Sequence, residues 1–169
     1  MASLDRATLI SAGVEFIERI RTIRGVSRIA LVGSILTEKT NPKDIDFVLT
    51  VSSDADYRLI ATIGRKLKGG VQARNLGADI FLATPEHNYI GRTCSHRQCH
   101  YRAGCEGFDC RPNSWIKTDL HIISLEHALI AKPPLIIWPT LESNVALPND
   151  IEEMVRAFRN TERAAESAP

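Results

Sequence analysis

The sequence predicts a single domain of the α/β (α+β) class, on three observations. The chain has 169 residues, the size of one ordinary domain, with 44% hydrophobic and 24% charged residues. Residues 3–24 carry apolar side chains at steps of three and four, as an amphipathic helix does. Residues 44–51 are rich in β-branched and aromatic residues, which is typical of a strand. Helical and extended patterns then follow one another along residues 1–169.

The first half of the chain alternates between the two patterns. Ser3 is a candidate N-cap for the first helix, and Gly33-Ser34 is a turn signal that can open a short helix. A second helix is expected to end at Gly69-Gly70. The predicted elements are a helix over 3–24, strands over 28–32 and 44–51, a helix over 54–68, and strand pieces over 71–74 and 78–83.

Residues 85–116 interrupt this pattern. They contain all four cysteines and three of the five histidines but few aliphatic side chains, so we expect a Cys/His-rich insertion or a loop-rich subdomain. Beyond it we predict a strand over 117–123, a helix over 125–132 and an extended segment over 135–138. Residues 150–169 are predicted as a C-terminal helix and tail, with Asp150 and Glu153 forming a capping box.

Charge and hydropathy exclude several classes of function. Lys and Arg total 21 against 20 Asp and Glu, so no strong field indicates nucleic acid or a membrane as an obligatory partner. No apolar stretch approaches the roughly 20 residues that span a bilayer, and no signal peptide is visible. We therefore expect a cytoplasmic protein with reduced cysteines. The sequence has none of the phosphate-loop, dinucleotide-binding, zinc-protease or serine-hydrolase motifs.

Two acids open the strand at 44–51. Asp44 and Asp46 share one face of an extended chain, with Cα atoms about 7 Å apart, close enough to bind Mg²⁺ together. Taken alone, Asp-x-Asp is a common tripeptide and is often a solvated strand edge. Ten residues earlier, however, Ser34 follows a strand and a glycine, in a turn that can offer N–H groups and a hydroxyl to a phosphate. The order of strand, Gly-Ser turn and acid pair is much more specific than either part.

In Leu31-Val32-Gly33-Ser34 and Asp44-Ile45-Asp46-Phe47-Val48-Leu49 the chain resembles the nucleotidyltransferase superfamily with the DNA polymerase β-like fold, particularly its minimal nucleotidyltransferases. The resemblance extends loosely over residues 5–83 and implies a mixed sheet backed by helices. It also implies transfer of a nucleoside monophosphate from an NTP to a hydroxyl of a protein, RNA or small molecule, with two Mg²⁺ ions. Gly33 and Ser34 would hold the triphosphate, and Asp44 and Asp46 the metals.

The family usually adds a third acid from a later strand, as a metal ligand and general base for the acceptor hydroxyl. Asp79 matches that position best, and Asp119 is the rival candidate. Residues 35–39 lack the arginine and small residues common in minimal members, although Lys39 and Lys43 are candidate phosphate contacts. A second possible function is therefore that of an inactive member that binds nucleic acid or a partner protein.

The cysteines form a second candidate site. Cys94, Cys99, Cys105 and Cys110 are spaced C-x4-C-x5-C-x4-C, and four thiolates can bind one structural Zn²⁺. His96 or His100 could replace one cysteine as a ligand, and without zinc the four cysteines would be free thiols or form two disulfides. Residues 92–117 also interleave basic and aromatic side chains, which indicates either a nucleic-acid contact or a solvated face.

Overall fold

The computed structural model describes residues 3–97, 110–111, 115–118, 120 and 122–166. Its helices are α1 (Leu4–Ile20), α2 (Tyr57–Gln72), α3 (His127–Ala131) and α4 (Asn149–Glu166), with a short 3-10 helix at Ser34–Leu36. Its strands are β1 (Val26–Val32), β2 (Asp44–Val51), β3 (Gly77–Ala83), β4 (Tyr89–Thr93), β5 (Cys110–Arg111), β6 (Ile116–Lys117), β7 (Leu135–Trp138) and β8 (Glu142–Ser143). None of these described helices has both the length and the apolar character needed to cross a bilayer.

The strands form one mixed sheet in the order β5-β6-β4-β3-β2-β1-β7-β8. Strands β2 and β3 are parallel and are joined by α2, whereas the other neighbouring strands are antiparallel. A parallel pair needs such a crossover, because the chain must return to the same end of the sheet. The chain therefore has the mixed α+β fold that the sequence predicts.

The two faces of the sheet differ. Alternate residues of β2, including Ile45, Phe47 and Leu49, pack in the main core with apolar side chains of α1, α2 and α4. The Phe16 and Phe47 rings, for example, lie 4.7 Å apart. On the opposite face a smaller cluster around Val48 and Ile130 lies under α3. That cluster does not reach the start of β2, where Asp44 is exposed and Asp46 is partly exposed.

The first half follows the predicted elements with corrections at the ends of its two long helices. The helix predicted over 3–24 ends earlier, at Ile20. Strand β2 has the predicted bounds, and Ser3 caps α1 by accepting a hydrogen bond from the Arg6 N–H. The end of the second helix at Gly69-Gly70 and the strand at 71–74 were wrong, because α2 continues to Gln72. Val71 is fully buried one turn after Leu67, and this burial outweighs the cost of about 1 kcal/mol for each glycine within a helix.

The second half departs further from prediction. Within 85–116, Tyr89–Thr93 forms β4 of the main sheet, so this segment is not wholly an insertion. The strand over 117–123 was wrong: β6 ends at Lys117, and the next apolar side chains, Leu120 and Ile122, are exposed rather than packed. The helix at 125–132 is confirmed as α3, and the extended segment at 135–138 as β7.

The capping box of the last helix was also wrong. Helix α4 begins at Asn149, and the N–H groups of Ile151 and Glu152 donate to the Pro148 carbonyl. Asp150 lies inside the first turn, where its carboxylate binds Arg6 of α1. Besides this ion pair between two helices, Asp150 Oδ1 accepts a hydrogen bond from the Ile151 N–H.

Candidate functional site

Three acids meet at one end of the sheet. Asp44 and Asp46 begin β2, and the parallel register of β2 and β3 sets Asp44 beside Gly77 and Asp46 beside Asp79. Residues paired in this way extend their side chains to the same face, and neighbouring strands lie about 4.8 Å apart. The structure therefore brings the predicted third acid, Asp79, next to Asp46. The rival candidate, Asp119, lies outside the described residues.

Two glycines make room for the two carboxylates of β2. A β-carbon at Gly77 would lie 2.2 Å from Asp44 Oδ1, and one at Gly33 would lie 2.9 Å from Asp46 Oδ2. Both distances are shorter than a van der Waals contact, so any side chain at either position would displace a carboxylate. Gly77 was missed in the sequence, although it precedes Asp79 with the same spacing that separates Asp44 from Asp46.

The predicted Gly-Ser turn lies beside these acids. Val32, the last residue of β1, pairs with Asp46, and Gly33 follows with φ +84°, in the left-handed region that favours glycine. Ser34 then begins the 3-10 helix, and its carbonyl accepts from both the N–H and the hydroxyl of Thr37. The turn thus places Gly33 against the Asp46 carboxylate, with Ser34 as the next residue along the chain.

Arg6 fixes the segment that follows this turn. Its guanidinium, which is 5% exposed, donates to the carbonyls of Ile35, Thr37 and Lys39 and to both carboxylate oxygens of Asp150. One buried cation thereby ties the connection between β1 and β2 to α1 and α4. Sequence patterns gave no signal for this contact, because it joins residues 6 and 150 through tertiary structure alone.

The acids influence one another electrostatically. The pKa of Asp46 is raised to about 6, first because burial disfavours its charged form and then because Asp79 and Asp44 repel it. A hydrogen bond from the Asp79 N–H and the charge of Lys68 act in the opposite direction. Burial and the two neighbouring acids therefore both disfavour the charged form of Asp46.

Two cations contact the third acid. Lys68 Nζ lies 3.1 Å and Arg92 Nη1 lies 3.2 Å from the same oxygen, Asp79 Oδ1. Within the described part of the chain, no three His, Cys, Asp or Glu side chains are arranged as a metal-binding group. Sequence reasoning missed Lys68 and considered Arg92 only as part of a basic stretch, because the approach of both to Asp79 depends on the packing of α2 and β4.

The structure describes both candidate phosphate-contact lysines but only part of the basic and aromatic stretch over 92–117. Lys43 forms an ion pair with Asp5, 3.2 Å away, and Lys39 contributes its carbonyl to Arg6. The Arg65 guanidinium lies 5.8 Å from the ring centre of Trp115. Tyr101, Arg102 and Phe108 of that stretch lie outside the described residues.

The zinc site also falls largely outside the described residues. Cys94 is buried, its thiol is free, and its Sγ accepts a hydrogen bond of 3.4 Å from the His96 N–H. Cys99, Cys105 and His100 are not described, and Cys110 is described only as part of β5. Zinc binding by this segment stays a prediction that metal analysis of the whole chain can test.

Comparison with known proteins gives a family but no activity. No curated protein and no solved structure matches the chain significantly. Residues 1–115 match a family model described as "Family of unknown function (DUF6932)". The matched region contains the Gly33-Ser34 turn, the three acids, and both cations that contact Asp79. Since this match covers more than half of the sequence, the chain belongs to DUF6932, a family of unknown function.

Proposed function

We propose that this protein is a Mg²⁺-dependent nucleotidyltransferase with a nucleotidyltransferase-like fold. The observation that carries the proposal is the meeting of Asp44, Asp46 and Asp79 on one open face, beside the Gly33-Ser34 turn. The acceptor is a hydroxyl group of a protein, an RNA or a small molecule. A zinc clip within residues 85–116 belongs to the same proposal as a structural element.

The donor groups suit Mg²⁺. This ion prefers one or two carboxylates and completes its coordination with substrate phosphates and water, so Asp44 and Asp46 can supply the protein ligands. Gly33 and Gly77 leave the space that these two carboxylates occupy. When bound, Mg²⁺ would neutralise the charge on the transferring phosphate.

Each residue then has a distinct part in the proposed reaction. Gly33 and Ser34 hold the triphosphate at the end of β1, while Asp44 and Asp46 would hold Mg²⁺ beside its α-phosphate. Asp79 accepts the proton of the acceptor hydroxyl. The acceptor oxygen forms a bond to the α-phosphorus, the bond from that phosphorus to the β-phosphate oxygen breaks, and pyrophosphate leaves.

A second function has its own supporting observation. The Asp79 carboxylate already contacts Lys68 and Arg92, and ion pairs of this kind also occur as purely structural features. An inactive protein with this fold could bind nucleic acid or a partner protein while Asp79 stays in these ion pairs. The two functions differ in whether Mg²⁺ and an NTP bind at Asp44 and Asp46.

The test measures the melting temperature of the whole chain with Mg²⁺ and each of the four NTPs. A ligand present at a hundredfold excess over its Kd adds about 2.7 kcal/mol to the free energy of unfolding, or about 5–10 °C for a chain of this size. Asp44→Asn and Asp46→Asn should each lose most of this gain. Asp54→Asn is the matched control, because Asp54 is exposed beyond the other end of β2.

Transfer is measured separately, with each α-labelled NTP, Mg²⁺ and a cell lysate. Label on a discrete protein, RNA or small molecule that disappears with Asp46→Asn supports the enzyme. A gain in melting temperature without transfer by the wild type supports a nucleotide-binding protein. Absence of both, or equal gains in the wild type and in Asp44→Asn and Asp46→Asn, would reject the site.

A further inference from the structure

Lys68 connects α2 with the three acids. The apolar side chains of α2 pack in the main core with Ile45 and Phe47 of β2. Asp46 alternates with these two residues along β2, so the acids extend to the opposite face of the sheet. The long side chain of Lys68 nevertheless brings its Nζ to 3.1 Å from Asp79 Oδ1. One residue of the helical layer therefore carries its positive charge to the acid site.

The ammonium group of Lys68 acts on more than one carboxylate. Asp79 pairs directly with Asp46 across the parallel strands, and the Asp79 N–H donates a hydrogen bond to the Asp46 carboxylate. The charge of Lys68 also lowers the pKa of Asp46, in opposition to burial and to the repulsion from Asp79 and Asp44. The positive charge therefore acts at the place where Mg²⁺ would bind in the proposed function.

A divalent cation and this ammonium group would repel each other at the acid site. Like charges about 5 Å apart still repel each other in water, and partial burial weakens the screening between them. The side chains of Lys68 and Asp79 are only 29% and 35% exposed. A metal ion therefore either displaces the ammonium group from Asp79 or binds beside it with reduced affinity.

We infer that the Lys68 ammonium group is an internal counter-ion of Asp46 and Asp79, and that a free divalent cation binds the acids in competition with it. The competition requires only that the acids bind a metal ion, with or without catalysis. Its consequence for the substrate rests on the proposed function. A metal ion that carries an NTP brings negative charge, which Lys68 attracts, so the counter-ion favours the metal–NTP complex over the free metal ion.

The test measures binding of Mn²⁺ alone by calorimetry, on the whole chain dialysed against metal-free buffer. Mn²⁺ shares the preference of Mg²⁺ for carboxylate oxygens. Lys68→Met and Lys68→Gln should each bind Mn²⁺ about tenfold more tightly than the wild type, because a repelling charge is removed. Lys68→Arg keeps the charge and should bind Mn²⁺ as the wild type does. Met, Gln and Arg all suit a helix, and Arg92 contacts the same oxygen of Asp79, so Asp79 keeps a partner in each variant.

Two controls locate the effect. Lys66→Met removes the same charge from the same helix, but Lys66 lies beside α1 in a groove with Glu15 and Arg19, so the Mn²⁺ affinity should not change. Addition of Asp46→Asn to Lys68→Met should abolish the tighter binding. Unchanged or weaker binding in both Lys68→Met and Lys68→Gln would overturn the inference. Equally tight binding in Lys68→Arg or Lys66→Met, or tight binding that survives Asp46→Asn, would overturn it as well.

The outcomes also separate this inference from the proposed function. Tighter Mn²⁺ binding in the two neutral Lys68 variants, without any response of the wild type to Mg²⁺ and NTP, would retain the counter-ion and reject the enzyme. Stabilisation by Mg²⁺ and NTP and transfer by the wild type, with a Mn²⁺ affinity that does not depend on Lys68, would retain the enzyme and reject the counter-ion. Absence of Mn²⁺ binding in the wild type and in every variant would also reject the counter-ion.

Discussion

Replacement of Asp46 by asparagine should stabilise the protein when no metal is bound. The carboxylate is partly buried and lies beside two other acids, which raises its pKa to about 6 from an ordinary value of about 3.9. A shift of about two units corresponds to roughly 3 kcal/mol of lost stability once Asp46 is charged. Asparagine keeps the shape of the side chain and removes the charge, so Asp46→Asn should recover part of this free energy.

The sign of the effect depends on pH. Between about pH 4 and pH 6 the folded protein holds a proton on Asp46 that the unfolded chain has lost. The free energy of unfolding therefore falls as the pH rises through this range, and it levels off above the folded pKa. Asp46→Asn lacks this contribution, so its melting temperature should match that of the wild type near pH 4 and exceed it at pH 7–8.

The assay is a series of melting curves in EDTA from pH 4 to pH 8. For a chain of this size 3 kcal/mol is about 6–10 °C, and since Asp46 keeps some contact with solvent we expect about half, or about 3–5 °C at pH 8. Asp54→Asn is the control: a hydrogen bond from the Ser52 hydroxyl lowers the pKa of Asp54, so this variant should gain nothing at pH 8. A difference between Asp46→Asn and the wild type that is absent or independent of pH would refute the raised pKa of Asp46.

Two further predictions concern the supports of the site. Gly77→Ala would place a β-carbon 2.2 Å from Asp44 Oδ1 and should remove most of the melting-temperature gain with Mg²⁺ and NTP. Gly69→Ala meets no atom within 4 Å and should instead add about 0.5–1 kcal/mol to the free energy of unfolding. Equal responses of the two variants would contradict the close fit of Gly77 against Asp44. Arg6→Met should lower that free energy by about 3 kcal/mol at pH 7, measured by urea denaturation, because three carbonyls lose their donor and Asp150 loses its cation. Since Arg6 holds the pKa of Asp150 below its usual range, the loss should shrink as Asp150 is protonated below about pH 4, and a loss that does not change with pH would contradict the ion pair.

The fold was predictable where local patterns and burial agree. Strand β2 combines β-branched residues with alternation of its acids and core residues, so both signals predict the same element and its bounds were correct. Around Gly69-Gly70 the signals disagree. The glycines indicate an end of the helix, but Val71 continues the apolar stripe of α2 and tertiary burial prevails.

Only those parts of the candidate site that depend on spacing along the chain were predictable from the sequence. The spacing of the Gly33-Ser34 turn and the two acids of β2 can be read directly from the chain, and the resemblance pointed to Asp79. The fit of Gly77 against Asp44 and the approach of Lys68 to Asp79 depend on the register of β2 against β3 and on the packing of α2. Contacts of that kind leave no periodic signal, so they appear only in three dimensions.

The ion pairs of Asp79 explain how three neighbouring acids can coexist in a folded protein without a metal. Lys68 and Arg92 neutralise Asp79, and Lys68 also lowers the pKa of Asp46, so the repulsion falls mainly on Asp46. In the proposed enzyme, divalent cations would neutralise the negative charges of Asp44 and Asp46. The two cations that contact Asp79 therefore offset part of the repulsion among the three acids.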